Sequence, residues 1–123
     1  MDIRNIEEVA PFTTKDGSEI RELLAPRNSC IQRQSLAEAR LPPGASTTPH
    51  HHPITEEIYY ILHGTGRMRI GQEIRLVAQG DAIAILPGAS HQITNTGDVT
   101  LLFLCCCAPA YEHADTVLEE AGG

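Results

Sequence analysis

The sequence predicts an all-β fold, a sandwich or closed barrel of short strands, and three observations carry that expectation. Turn signals recur along the chain: Asp16-Gly17, Pro42-Pro43-Gly44, Gly64-Thr65-Gly66, Gly71-Gln72, Gly80-Asp81, Pro87-Gly88 and Gly97-Asp98. The segments between them have strand length and either alternate or run wholly apolar. Only two stretches read as helical, residues 3–9 and 115–121, and both are short and peripheral. A chain of 123 residues suits one domain. We read residues 1–123 as a single unit: a barrel core over about 30–107, an N-terminal arm over 1–29 and a C-terminal tail over 108–123.

Strands are expected over residues 20–24, 30–41, 57–62, 67–70, 74–77, 82–86, 91–95 and 99–107. Alternation then assigns faces. Met68 and Ile70 point inward while Arg67 and Arg69 point out, and Ile83 and Ile85 point inward. Over residues 57–62, Glu57, Tyr59 and Ile61 share one face, and Ile58, Tyr60 and Leu62 share the other. Both faces are apolar, whereas a strand in a small sandwich needs only one dry face. The surplus predicts a homodimer in which a second subunit covers the outer face, with Leu36 and its neighbours contributing to the cover.

Composition narrows the function classes. Hydrophobic residues make 41% and charged residues 20%, a globular balance. Tryptophan is absent and the aromatics are few, so aliphatic side chains must fill the core. The net charge is −7 and the nine basic residues are scattered, which argues against a nucleic-acid partner. The first eleven residues include Asp2, Glu7 and Glu8 and no apolar run, so no signal peptide is expected. The apolar stretch 99–110 is too short to span a membrane. Cys30, Cys105, Cys106 and Cys107 lack the C-x-x-C spacing of metal or redox motifs. They read as reduced thiols packed like small apolar residues, in keeping with a cytoplasmic location.

The histidines carry the chemistry. His50 and His52 are two residues apart, so on an extended segment both imidazoles share a face and His51 points away. Glu57 opens the next strand after the bend at residues 53–56, and His91 follows the Pro87-Gly88 turn at the start of another. Three imidazoles and one carboxylate suit one divalent transition metal (Mn, Fe, Co, Ni, Cu or Zn) rather than Ca or Mg. A plainer reading stands beside this one: a solvated His-rich turn, with Glu56-Glu57 as a charge pair at a strand end.

Two longer patterns resemble the cupin motifs. Gly44, His50, His52, Glu57 and Gly64 are spaced as in the first motif, and Gly80, Pro87, Gly88, His91 and Asn95 as in the second, with the short spacer 65–79 between them. The flanking phrases Ile20-Arg21-Glu22-Leu23 and residues 105–111 are similar to those of small single-domain cupins grouped with mannose-6-phosphate isomerase-like proteins. The resemblance implies a double-stranded β-helix (jelly-roll) barrel with His50, His52, Glu57 and His91 as metal ligands. The gap to His52 and the distance to Gly64 favour Glu57 over Glu56. Leu86 stands where the pattern has proline, and Pro87 follows it. Asn95 is expected to support a turn rather than bind metal.

A divalent metal on three neutral imidazoles and one carboxylate leaves a formal charge of about +1, which favours an anionic or chelating oxygen ligand. The expected function is an enzyme on a small oxygenated organic acid, ketone or sugar derivative, dioxygenase-like first and isomerase or lyase next. The alternative is a non-catalytic module that binds a small ligand or metal. Tyr59 and Arg21 are the candidate catalytic side chains, Tyr59 through its shared face with Glu57 and Arg21 as a carboxylate holder at the mouth. Core packing and a surface ion pair are their plainer roles. His63 and His113 read as surface residues.

Overall fold

The structure, a computed structural model, describes residues 1–119. Eleven strands form two antiparallel sheets that enclose the interior: β1 (Phe12–Thr13), β2 (Glu19–Leu24), β3 (Ser35–Leu41), β4 (His50–His51), β5 (Glu56–His63), β6 (Thr65–Ile70), β7 (Glu73–Ala78), β8 (Ala82–Ile85), β9 (His91–Asn95), β10 (Leu101–Ala108) and β11 (Val117–Leu118). One sheet runs β1-β2-β3-β10-β5-β8 and the other β11-β4-β9-β6-β7. The all-β expectation holds.

Alternation works as expected on β5. Glu57, Tyr59 and Ile61 are buried, and Ile58 and Tyr60 remain 47% and 42% exposed on the outer face. Cross-strand pairing lays the interior out as a gradient. Ser35, Cys107 and Glu57 lie in one row, Ala37, Cys105 and Tyr59 in the next, and Ala39, Phe103 and Ile61 in the third. Leu41 and Leu101 close the apolar end. One end of the barrel is therefore polar and titratable, and the other is an aliphatic floor with Met68, Val77 and Ile93 packed into it, while Ile85 lies across from Glu57.

Three expectations are corrected. The strand placed over 30–41 starts at Ser35, because the Cys30 amide donates to Asp2 Oδ2 (2.8 Å) instead of entering a ladder. The N-terminal helical stretch shrinks to one 3-10 turn, Ile6–Glu8, capped by the Asn5 side chain on the Glu7 amide. Val9 is already extended there, two residues before Pro11. The C-terminal stretch 115–121 does not form a helix over its described part. A 3-10 turn ends at Asp115, and Val117 and Leu118 then pair with His51 and His50 as strand β11. Sheet pairing outweighs the helical propensity of a short segment there. Residues 120–121 lie outside the described part.

The turn after Leu86 keeps its shape without the motif's proline. Gly88 sits at φ +81°, where a side chain would be strained, and its amide donates to the His52 carbonyl (2.8 Å). Asn95 is the turn support expected of it. Its amide donates to the carbonyls of Leu41 (2.9 Å) and Val99 (2.8 Å), and its oxygen accepts from the Gly97 amide (2.9 Å).

Candidate metal centre

Strand β4 is two residues long, yet it lies between β9 and β11, and the His50–His91 pairing sets two imidazoles side by side. Their ring centroids are 4.2 Å apart. His52 returns to the same side, with centroids 5.1 Å from His50 and 5.5 Å from His91. One nitrogen from each of the three rings lies within 4.8 Å of the others, and all three residues are buried. Glu57 approaches from the facing sheet. Its Oε1 lies 3.3 Å from His52 Nε2 and 3.7 Å from His91 Nε2.

Each ring is aimed through its other nitrogen. His50 Nδ1 donates to the Thr48 carbonyl (2.7 Å), His91 Nδ1 to the Ala89 carbonyl (3.0 Å) and His52 Nδ1 to the Asp115 carbonyl (3.2 Å). A carbonyl can only accept, so each neutral ring keeps its proton on Nδ1 and presents the Nε2 lone pair inward. Glu57 is aimed by a thiol: Cys107 Sγ donates to Oε2 (3.2 Å), which leaves Oε1 facing the imidazoles. Burial first, and then the charge of Glu57, push the Cys107 thiol far up, so it stays protonated as a donor.

Two atoms at the point of convergence, His91 Nε2 and Glu57 Oε1, are buried with no hydrogen-bond partner. Unpaired buried acceptors are costly, and a cation between them would satisfy both. Three imidazole nitrogens and a carboxylate oxygen fit a borderline divalent transition metal. The titrations differ within the cluster. Burial, then the neighbouring His50, lower His91 to about 4. Burial also works against protonation of His52, but the protonated ring can donate to Glu57 and is held by its charge, which outweighs burial, and His52 is raised.

The remaining sequence candidates fall in different places. His51 points away from the cluster, its Nδ1 on Glu119 Oε1 (2.8 Å). Glu56, His63 and His113 are exposed. Tyr59 lines the cavity beside the cluster, its ring 5.9 Å from that of His91, and burial raises its hydroxyl well above the usual range. Arg21 pairs with Glu19 Oε1 (2.7 Å) and sits opposite Glu38 in the sheet register, and it does not line the cavity.

Two wall residues have roles that the motifs do not carry. Cys107, which the sequence reads as a packed thiol, orients Glu57, and Asp16, half of a turn signal, reaches the cavity with Oδ2 3.4 Å from His50 Nε2. The cavity measures about 40 Å³, and Ile20, Ala39, Phe103 and Cys105 form its apolar side.

The comparisons agree with this architecture. The chain is 48% identical over 114 residues to an uncharacterized protein of Methanocaldococcus jannaschii, spanning 93% of this chain and 91% of that one. It is 36% identical over 86 residues to an oxalate-binding protein of Thermotoga maritima, spanning 70% and 71%. A crystal structure of a predicted oxalate decarboxylase from Thermotoga maritima superimposes with a TM-score of 0.78 at 29% identity, over 88% of this chain and 99% of that one. Residues 37–107, which include every member of the His50/His52/His91 cluster and Glu57, match the cupin domain model. Two facing antiparallel sheets, a histidine cluster at one end of the barrel and that match lead to one conclusion: this chain belongs to the cupin family, with the double-stranded β-helix fold.

Proposed function

We propose that this chain is a metal-dependent cupin that binds and turns over a small oxygenated organic compound, with His50, His52, Glu57 and His91 holding one divalent transition metal. The carrying observation is the pair of buried, unpartnered atoms, His91 Nε2 and Glu57 Oε1, beside two more inward-facing imidazoles. A metal bound there supplies a Lewis acid for a ligand oxygen. The chain's own residues do the remaining work. Backbone carbonyls hold the three rings, Cys107 turns Glu57, and Ile20, Ala39 and Phe103 keep the inner wall dry. The small cavity restricts the ligand to a compact molecule.

Dioxygen-dependent oxidation stands first as the reaction class, because a small, partly apolar cavity suits a diatomic gas beside a compact ligand. Isomerase or lyase chemistry is supported by Asp16, a carboxylate in the same wall. The oxalate-binding relative supports a ligand that chelates through oxygen, and is also compatible with a binding role without turnover.

Metal analysis is the deciding experiment. Purified protein should carry close to one equivalent of transition metal, and His91→Ala should carry less than a tenth of it. Equal metal in the two would end this reading. Oxygen uptake by iron-loaded protein with diketones, catechols and keto acids then sorts the reaction classes, and no uptake moves the assignment to isomerase or lyase chemistry.

We also propose a homodimer. On the outer face of the six-stranded sheet, Leu36, Cys106 and Ile58 form one cross-strand row and Leu104 and Tyr60 the next. The ion pairs Arg21–Glu19 and Arg40–Glu38 at its margin are internally neutralised, so a second copy meets no opposing net charge there. The four cysteines are free, which supports a reducing, cytoplasmic setting. Among the described residues no helix is long and apolar enough to cross a membrane.

A further inference from the structure

Asp16 is built into the cavity wall with unusual care for a turn residue. It occupies the loop between β1 and β2, and its Oδ1 accepts from Thr14 Oγ1 (2.6 Å), the Ser18 amide (2.9 Å) and Ser18 Oγ (2.6 Å). The loop is tied down on both sides of the barrel mouth. The Thr48 amide donates to the Asp16 carbonyl (2.7 Å), and Lys15 Nζ donates to the Thr116 carbonyl (3.0 Å). Three donors saturate Oδ1 and leave Oδ2 as the oxygen that faces the cavity.

Among the described residues Oδ2 meets no donor there. The nearest ring atom, His50 Nε2 at 3.4 Å, carries a lone pair, because the His50 proton is committed to the Thr48 carbonyl. Among the described residues no lysine or arginine side chain lines the cavity. Arg21 and Arg40 are engaged by Glu19 and Glu38, and Arg27 is occupied with Glu22 at 2.7 Å, cancelling the charge of that wall residue. With a divalent cation on the histidines, Glu57 and Asp16 together bring the formal charge of the site to about zero. Once Asp16 is counted, the site is thus not cationic, as it was expected to be from Glu57 alone.

We propose that Asp16 sets the ligand class of this cavity: it accepts a hydrogen bond from a hydroxyl group of the bound molecule, selecting a compact neutral hydroxy-carbonyl compound or polyol and rejecting dicarboxylates. This rests on the metal reading above. A ligand oxygen takes the position between the imidazoles, and a neighbouring hydroxyl donates to Asp16 Oδ2. A dicarboxylate in the same place sets a second anionic group against Oδ2 with no side-chain cation lining the cavity to offset it.

The test uses cobalt-loaded protein, with dihydroxyacetone and oxalate as probes and the cobalt absorption spectrum as the readout, so no turnover is needed. Asp16→Asn is the informative variant. Its amide oxygen can keep the three donors, and its NH2 then faces the cavity, turning an acceptor into a donor. Wild type should bind dihydroxyacetone at least tenfold more tightly than oxalate. Asp16→Asn should lose about tenfold for dihydroxyacetone and gain tenfold or more for oxalate, at the same cobalt content. A wild type that prefers oxalate overturns the proposal without reference to any variant. So does a preference ratio that stays within twofold in Asp16→Asn. Cobalt content in wild type and His91→Ala separates the two layers. Equal cobalt in both removes the metal centre itself, whereas cobalt lost only in His91→Ala with an unchanged ratio removes only the role of Asp16.

Discussion

His91 sets a pH response by itself. It is fully buried, and burial with the neighbouring His50 lowers it from 6.5 to about 4. The unfolded chain takes up that proton near pH 6.5 and the folded chain only near 4. The metal-free protein therefore loses stability as pH falls through that window, by roughly 3 kcal/mol in all. His52 has the opposite sign: raised in the folded state, it contributes stability that fades as pH rises through its folded pKa. Urea unfolding of metal-free wild type should show the loss between pH 6.5 and 4, and His91→Gln should remove most of it. An equal slope in the variant would count against this cause. Metal binding should respond through His52, whose protonation Glu57 favours, so metal affinity should fall about tenfold per pH unit below its pKa. Alternation sufficed to turn His51 away, and the His51–Glu119 contact agrees with it. Alternation also put Cys105 and Cys107 on one face, but the sequence has no means of showing that Glu57 stands directly across from Cys107.

At the scale of elements, the C-terminal segment organises the loop between His52 and Glu57. The Asp115 carboxylate accepts from the amides of Ile54 (3.2 Å) and Thr55 (2.9 Å), while its backbone carbonyl takes the His52 ring proton. One residue thus fixes both the bend and a proposed ligand. Asp115→Ala should cost about 1–2 kcal/mol in urea unfolding and weaken metal binding about tenfold in chelator competition. Metal affinity unchanged within twofold would show that the bend holds its shape alone. This coupling explains why the tail forms a strand where the sequence predicts a helix. Residues 115–118 have neither the length nor the alternation of a strand, and they become one only because β4 offers an open edge. The central strands were legible because their period-two pattern reflects burial on one face. β1, β4 and β11, two residues each, carry too few side chains to show a period.

At the scale of the molecule, the outer sheet face predicts association. Tyr60→Glu places a charge in the middle of the Leu104–Tyr60 row while its backbone keeps the ladder. Wild type should sediment as a dimer at micromolar concentration and the variant as a monomer with the same metal content. A monomeric wild type would refute the interface. The other molecular feature is that both covers of the candidate site come from outside the segment that holds its residues. The turn around Asp16 lies ahead of every ligand in sequence, and Asp115, which aims His52, lies behind them all. Synthesis runs from the N-terminus, so His50, His52, Glu57 and His91 all leave the ribosome before the residue that orients one of them exists. The arrangement is therefore completed only once Asp115 has emerged. Until then a growing chain offers a passing metal a loose set of imidazoles, so on the proposed reading a metal is held firmly only after that residue is in place.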